Sequence, residues 1–169
     1  MKYRSPHSRP DPRKNLVGFT VGEVRYAIGV EVVRQVVNPM STTSLPHMPK
    51  AIVGVAEHRG LVIPVVDLRL HFGMPAELTR RTKWILIDLA GDVVGLVVDA
   101  VTGVFGAMAE EVRPAPVFGA SDARRGLTGV ASQEGQMVFL LDGTALREVA
   151  RPAMAAGLPE ASKQPMKDS

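Results

Sequence analysis

Cysteine is absent from this chain of 169 residues, and aromatic side chains are few: one tryptophan, two tyrosines and five phenylalanines. Without cysteine the chain can form neither a disulfide framework nor a zinc site with thiolate ligands. No apolar run approaches the ~20 residues of a membrane-spanning helix, and the first fifteen residues lack the apolar core of a secretory signal. We therefore expect a cytoplasmic protein without direct membrane insertion.

Charge is unevenly distributed along the chain, whose net charge is +3. Residues 1–14 contain five basic residues and one acidic residue, residues 151–169 contain three basic and two acidic residues, and residues 15–150 have a net charge of −2. A basic leader on a nearly neutral body lacks the basic face from which phosphate contacts are built, so no nucleic acid is expected as a partner.

Short runs rich in valine and isoleucine, separated by Gly, Pro, Asn or Asp, begin at residue 16. They include VGFTV, VRYAI, LVIPVV, WILIDL, VVGLVV and MVFLL. This spacing is typical of an all-β barrel or sandwich. Short helical turns are expected only near residues 31–36 and 143–149.

An internal duplication gives the most information about the architecture. The markers Gly54-Val55-Ala56, Gly60 and Asp67 return as Gly129-Val130-Ala131, Gly135 and Asp142, each 75 positions later. Gly60 and Gly135 can each adopt positive φ in the hairpin that precedes an apolar strand. The duplication predicts two small β-barrels that share an apolar seam, because closing each unit removes its exposed edges.

The predicted organisation has three parts. Residues 1–15 form a disordered basic leader, residues 16–150 form the folded domain, and residues 151–169 form a flexible tail. Within the domain, barrel one covers about 16–80 and barrel two about 81–150, and the two are intertwined at the seam.

Motifs for catalysis are missing: there is no phosphate-binding GxxxxGK[ST] loop, no GxSxG elbow and no HExxH pair. The only candidate metal ligands are His58, Asp67 and His71, with Glu57 nearby, and a metal-dependent enzyme using them is the minor alternative. The acidic residues at strand ends are expected to cap turns. We therefore predict no enzyme activity, no cofactor and no metal.

Two residues are candidates for partner contact. Arg59 lies at a hairpin tip whose counterpart in the second unit is Glu134, so folding does not require arginine there, and its planar donors suit a partner's carboxylates or carbonyls. Trp84, the only tryptophan, either packs in the core or contributes to a surface that a partner helix covers.

The segment GVAEHRGLVIPVVDLRLHFG, residues 54–73, resembles the GVxNxRGxxxPxxDLRxxF signature of the CheW family of chemotaxis coupling proteins. FTVGEVRYAIGVEVVRQVV, GDVVGLVVDAVTGV and GLTGVASQEGQMVFLLD also resemble this family, in its order. The resemblance covers about residues 16–149 and implies two five-stranded SH3-like barrels. It departs at Glu57-His58, where the family usually has Asn-Leu.

The resemblance implies a non-catalytic adaptor that binds the cytoplasmic tip of a chemoreceptor and the regulatory domain of a CheA-type histidine kinase in a receptor array. A CheW-like adaptor of a non-flagellar pathway, controlling surface motility or development, is the alternative. Phe118 corresponds to a kinase-binding position of the family. The implied receptor-binding residues are Val33, Gln35, Gly54, Arg59, Trp84 and Val104.

Overall fold

The computed structural model describes residues 15–107, 112–114 and 126–156 of the chain, and in these ranges β-strands predominate. Two α-helices are described, α1 (Leu68–His71) and α2 (Gly143–Ala155), together with a 3-10 turn at Val30–Val32. The strands are β1 (Asn15–Val21), β2 (Val24–Gly29), β3 (Val33–Val37), β4 (Ile52–His58), β5 (Leu61–Asp67), β6 (Lys83–Leu89), β7 (Asp92–Val98), β8 (Ala100–Gly106), β9 (Arg113–Pro114), β10 (Leu127–Gln133) and β11 (Gln136–Leu141). The all-β fold class predicted from the short apolar runs is confirmed.

The strands form two sheets. One has the order β8-β1-β2-β11-β10-β9 and the other the order β3-β6-β7-β5-β4. Neighbouring strands are antiparallel except for two pairs, β2 with β11 and β5 with β7. The parallel pairs occupy corresponding places in the two sheets, as the duplication requires.

The sheets do not divide the chain near residue 80, where the sequence-based boundary between the barrels was set. The hairpin β1–β2 belongs to the sheet that contains β8–β11, and the hairpin β6–β7 belongs to the sheet that contains β3–β5. Each duplicated unit therefore contributes its first hairpin to the other unit's sheet. Barrel one is accordingly the barrel of the five-stranded sheet, and barrel two is the barrel of the six-stranded sheet. The repeat spacing could not show this, because the exchange depends on the long-range parallel pairs.

The duplicated markers occupy equivalent positions. Gly60 and Gly135 have φ of 84° and 77° in the turns β4–β5 and β10–β11, as predicted. Asp67 and Asp142 are the N-caps of the two helices, and each carboxylate accepts a hydrogen bond from a backbone N–H two residues later. The prediction that these aspartates cap turns is confirmed.

Three apolar clusters make up the core. One lies within the five-stranded sheet and includes Ile63, Trp84 and Leu86, and a second lies within the six-stranded sheet. The third and largest combines residues of both sheets, such as Phe19 and Ile87, with residues of α2. Two barrel interiors and one shared seam account for the three clusters.

Helix α2 continues through Ala155, so residues 151–155, predicted to be part of a flexible tail, are helical instead. Ala150 and Ala153 are fully buried on the apolar face of α2, which packs against β4 and β5 of the opposite barrel. This burial outweighs the missing N–H of Pro152 inside the helix. Within the described ranges, no helix has the length and apolar character needed to cross a membrane.

Candidate partner-binding surface

Gln35 and Arg59 line one surface cavity at the mouth of barrel one. His58 and Leu61 also line it, and the buried side chains of Ile63 and Leu86 reach it from the barrel interior. The cavity volume is about 60 Å³, well below the range of small-molecule sites. The arrangement therefore suits contact with a partner's surface rather than capture of a small ligand.

Arg59 occupies the exposed tip of the β4–β5 hairpin. Its φ is 52°, and Glu134, its counterpart in the second barrel, has φ of 53°. The hairpin thus needs a left-handed residue at this position, and the guanidinium itself is not required for the turn. Among the residues that the structure describes, the Arg59 side chain has no hydrogen-bond or ion-pair partner. Its donors are free for a partner's acceptors.

Gln35 joins the two edges of the five-stranded sheet. It lies on β3 at one edge, and its Oε1 is 3.4 Å from His58 Nε2 on β4 at the other edge. The sheet must curl for these strands to meet, so this contact marks the closure of barrel one. Glu57 on the same strand is exposed, so the family departure at Glu57-His58 changes the charge and polarity beside Arg59.

Gly54 is buried in β4 and acts through the backbone. Its φ is +144°, and a β-carbon there would lie 2.2 Å from the carbonyl oxygen of Thr43. Thr43 pairs with Val55 as an isolated β-bridge. Glycine at this position allows the β3–β4 connection to pack against the barrel. Its place in the receptor-binding set stays a prediction.

Trp84 is only 3% exposed and packs in the interior of barrel one with Ala56 and Val97. Of the two interpretations of this residue, the structure shows core packing. Its place in the receptor-binding set stays a prediction. The β-strand alternation directs the indole inward, which its position next to the polar linker could not reveal.

Val33 and Val104 lie on the edge strands β3 and β8 of the two sheets. Val33 is half-buried, whereas Val104 is 66% exposed. The structure therefore places Gln35 and Arg59 together, with Val33 on the strand of Gln35, and Val104 on the other barrel. Phe118, the predicted kinase contact, lies outside the described residues.

Two exposed apolar residues were not predicted as contact residues: Leu61 lines the cavity of Gln35 and Arg59, and Val36 lines a separate cavity. Leu61 is 44% exposed beside Arg59, and Val36 is 39% exposed beside Gln35. Both lie in strands rich in valine and isoleucine, so composition alone could not separate them from the core.

The candidate metal ligands do not form a site. No three histidine or acidic side chains in the described ranges are placed to hold a metal ion. His58 and Asp67 lie near opposite ends of the β4–β5 hairpin, roughly 20 Å apart at strand spacing. The alternative of a metal site built from His58, Asp67 and His71 is therefore wrong.

Asp67 is instead part of a buried ion network. Arg69 is 4% exposed and donates from Nε and Nη2 to the two oxygens of Asp67, both at 2.9 Å. Arg69 Nη1 is 3.1 Å from Asp99 Oδ1, and the Gly22 N–H donates to Asp99 Oδ2 at 2.6 Å. The hydrogen bond to Asp67 raises the pKa of the Arg69 guanidinium. The network connects α1 of barrel one to the β1–β2 turn of barrel two.

This architecture defines a protein of two SH3-like β-barrels with a common core. Comparison with known proteins agrees: a family model described as CheW-like domain matches residues 15–150. The chain therefore belongs to the CheW-like domain family.

Individual relatives match over most of their length. The chemotaxis protein CheW of Klebsiella aerogenes is 34% identical over 125 residues, which cover 73% of this chain and 75% of that protein. Protein FrzA of Myxococcus xanthus is 32% identical over 148 residues, which cover 86% of this chain and 92% of that protein. The crystal structure of the scaffolding protein TtCheW from Thermoanaerobacter tengcongensis superposes with a TM-score of 0.71 at 29% identity, covering 79% of this chain and 90% of that chain.

Proposed function

We propose that this protein is a non-catalytic cytoplasmic adaptor that couples chemoreceptors to a CheA-type histidine kinase in a signalling array. The observation that carries the proposal is the match of the CheW-like domain to residues 15–150, because it covers both barrels and the seam between them. A two-barrel scaffold offers a surface on each barrel, as a protein that joins two partners requires.

The surface around Arg59 supports a receptor-binding role. An exposed guanidinium with no partner in the described part of the chain lies beside the exposed apolar side chain of Leu61 and the amide of Gln35. A receptor helix could bury Leu61 and supply acceptors to Arg59, which would fix its register. Val33 and Val104 would extend the contact along the edge strands.

The test is calorimetric titration of the purified chain against two partners from the same genome: the regulatory domain of a CheA-type kinase and a chemoreceptor cytoplasmic fragment. Arg59→Ala should weaken receptor binding about 10-fold or more, the size expected for a contact residue at an interface. Glu134→Ala is the matched control, since it removes an exposed side chain at the same backbone conformation in the other barrel.

Binding to both partners, with a receptor defect only in the Arg59 variant, is the expected result. Absence of binding to the kinase regulatory domain would overturn the adaptor proposal. Equal receptor affinity for wild type and Arg59→Ala would remove Arg59 from the interface while leaving the adaptor role intact.

The alternative proposal is a CheW-like adaptor of a non-flagellar pathway, a receptor–kinase system controlling surface motility or development. The match to FrzA covers a larger share of both chains than the match to Klebsiella CheW does. Titrating each CheA-type kinase of the genome in parallel distinguishes these pathways, because the tightest partner identifies the one served.

A further inference from the structure

A second cavity, of about 290 Å³, lies between the two barrels. Its walls come from the edge strands β3 and β8 and from the loop that precedes β6. The lining residues are Val36, Arg80, Arg81, Lys83, Ala100 and Val101. Val36 is next to Gln35 on β3, and Val101 lies on the same strand as Val104. The cavity is therefore lined by β3 and β8, the two strands proposed to contact the receptor.

The loop holds its two arginines in a defined turn. The Thr79 N–H donates to Thr82 Oγ1 at 2.9 Å, and the Arg81 N–H donates to Thr79 Oγ1 at 3.1 Å. Thr82 is 1% exposed, so this turn is anchored to the protein interior. Arg80 and Arg81 are exposed at the turn. The anchored backbone reduces the conformational entropy lost when a partner binds these side chains.

The cavity is lined by three cations and no acidic residue. Across the part of the chain that the structure describes, the side chains of Arg80, Arg81 and Lys83 form no ion pair. This positive charge is local, because residues 15–150 together have a net charge of −2. An anionic partner would therefore be attracted to this place on an otherwise slightly acidic domain.

The apolar walls restrict the kind of anion. Val36 is 39% exposed at the cavity, and Val104 is 66% exposed farther along β8. A helix that carries carboxylates on one stripe and aliphatic side chains on the next would satisfy both the cations and the valines.

We propose that Arg80, Arg81 and Lys83 form a specificity site for an acidic helical segment of the receptor tip. This inference rests on the proposed adaptor function. It adds that the groove between β3 and β8 selects its partner by negative charge. Receptors with acidic residues at the contacting helix positions are accepted, and receptors with basic residues there are rejected.

The experiment measures binding of the full chain to the chemoreceptor cytoplasmic fragment by calorimetry. Arg80→Glu/Arg81→Glu should raise the receptor Kd about 10-fold at low salt, from two reversed rim charges. The difference should shrink at about 1 M salt, where the screening length is ~3 Å. Arg113→Glu is the control, because Arg113 is exposed on β9 at the sheet edge opposite β8.

Unchanged kinase binding by the double variant shows that it is folded and separates this site from the adaptor function. If the wild-type protein binds the receptor and the double variant binds it with the same Kd, the specificity site is refuted and the adaptor proposal stands. A wild-type receptor Kd that does not respond to salt would also overturn the specificity site. So would binding to vesicles containing anionic lipid that is lost in the double variant while receptor binding is kept, because that result assigns the cations to a membrane surface.

Discussion

Replacement of Arg69 by methionine should destabilise the protein strongly. Methionine keeps much of the packing volume but leaves the carboxylate of Asp67, which is 4% exposed, without its bidentate partner. Removal of one member of a buried ion pair costs about 3–5 kcal/mol, since the remaining charge stays buried and unpaired. Loss of the hydrogen bond from Nη1 to the Glu77 carbonyl, at 2.6 Å, acts in the same direction.

The assay is urea unfolding followed by the fluorescence of Trp84, the only tryptophan and a buried one. Arg147→Met is the matched control, because Arg147 pairs with Asp92 at 3.5 Å through side chains that are 24% and 54% exposed. A pair of that exposure contributes about 0–1 kcal/mol. Each variant loses one positive charge, so the difference between their losses of unfolding free energy reports the effect of burial.

A double variant, Arg69→Met/Asp67→Asn, tests the cause. Asparagine retains the N-cap but removes the buried charge, so we expect a coupling energy of about 1–3 kcal/mol and a partial recovery of stability. A loss below about 1 kcal/mol for Arg69→Met, or no recovery in the double variant, would refute the assignment of this network as a buried, mutually dependent set.

Three further predictions concern the barrels and α2. Gly54→Ala should cost about 2–4 kcal/mol in urea unfolding, from a backbone clash at positive φ, whereas Gly60→Ala, with open space around it, should cost about 1 kcal/mol; equal losses would contradict this. Trp84→Ala should cost about 3–5 kcal/mol by circular dichroism, and a loss under 1 kcal/mol would contradict its core position. A hydrogen bond from Arg151 lowers the pKa of Glu148, so the stability that their pair adds is present above the unfolded pKa and lost as pH falls through the folded one. The difference in Tm between wild type and Glu148→Gln should therefore be constant from about pH 7 to about pH 5 and shrink as pH falls below the ordinary glutamate pKa of about 4.3; a difference that stays constant there would contradict the pairing.

The repeat spacing and turn chemistry predicted much of the fold. Gly60 and Gly135 were placed in hairpins and Asp67 and Asp142 at turns, because both features depend on residues close in sequence. The exchange of the hairpins β1–β2 and β6–β7 between sheets was not predicted. It depends on parallel pairing between strands more than a hundred residues apart in one case, for which the sequence carries no local signal.

The candidate surface was predicted less completely. Arg59 stood out because its repeat counterpart is Glu134, and the structure places it at an exposed hairpin tip beside Gln35. Trp84 was ambiguous because its face depends on the strand register, which a single apolar run does not define. The basic cavity was missed, since its valines and arginines come from three separate segments that only the folded seam brings together.

The most direct test of the central claim is kinase coupling in a reconstituted mixture. Autophosphorylation of a full-length CheA-type kinase would be measured with a chemoreceptor cytoplasmic fragment, with and without this protein. The adaptor account predicts that the receptor changes the kinase rate only when the chain is present, and that Arg59→Ala reduces the change more than Glu134→Ala does. A receptor effect on the kinase that is the same with and without the chain would contradict the account.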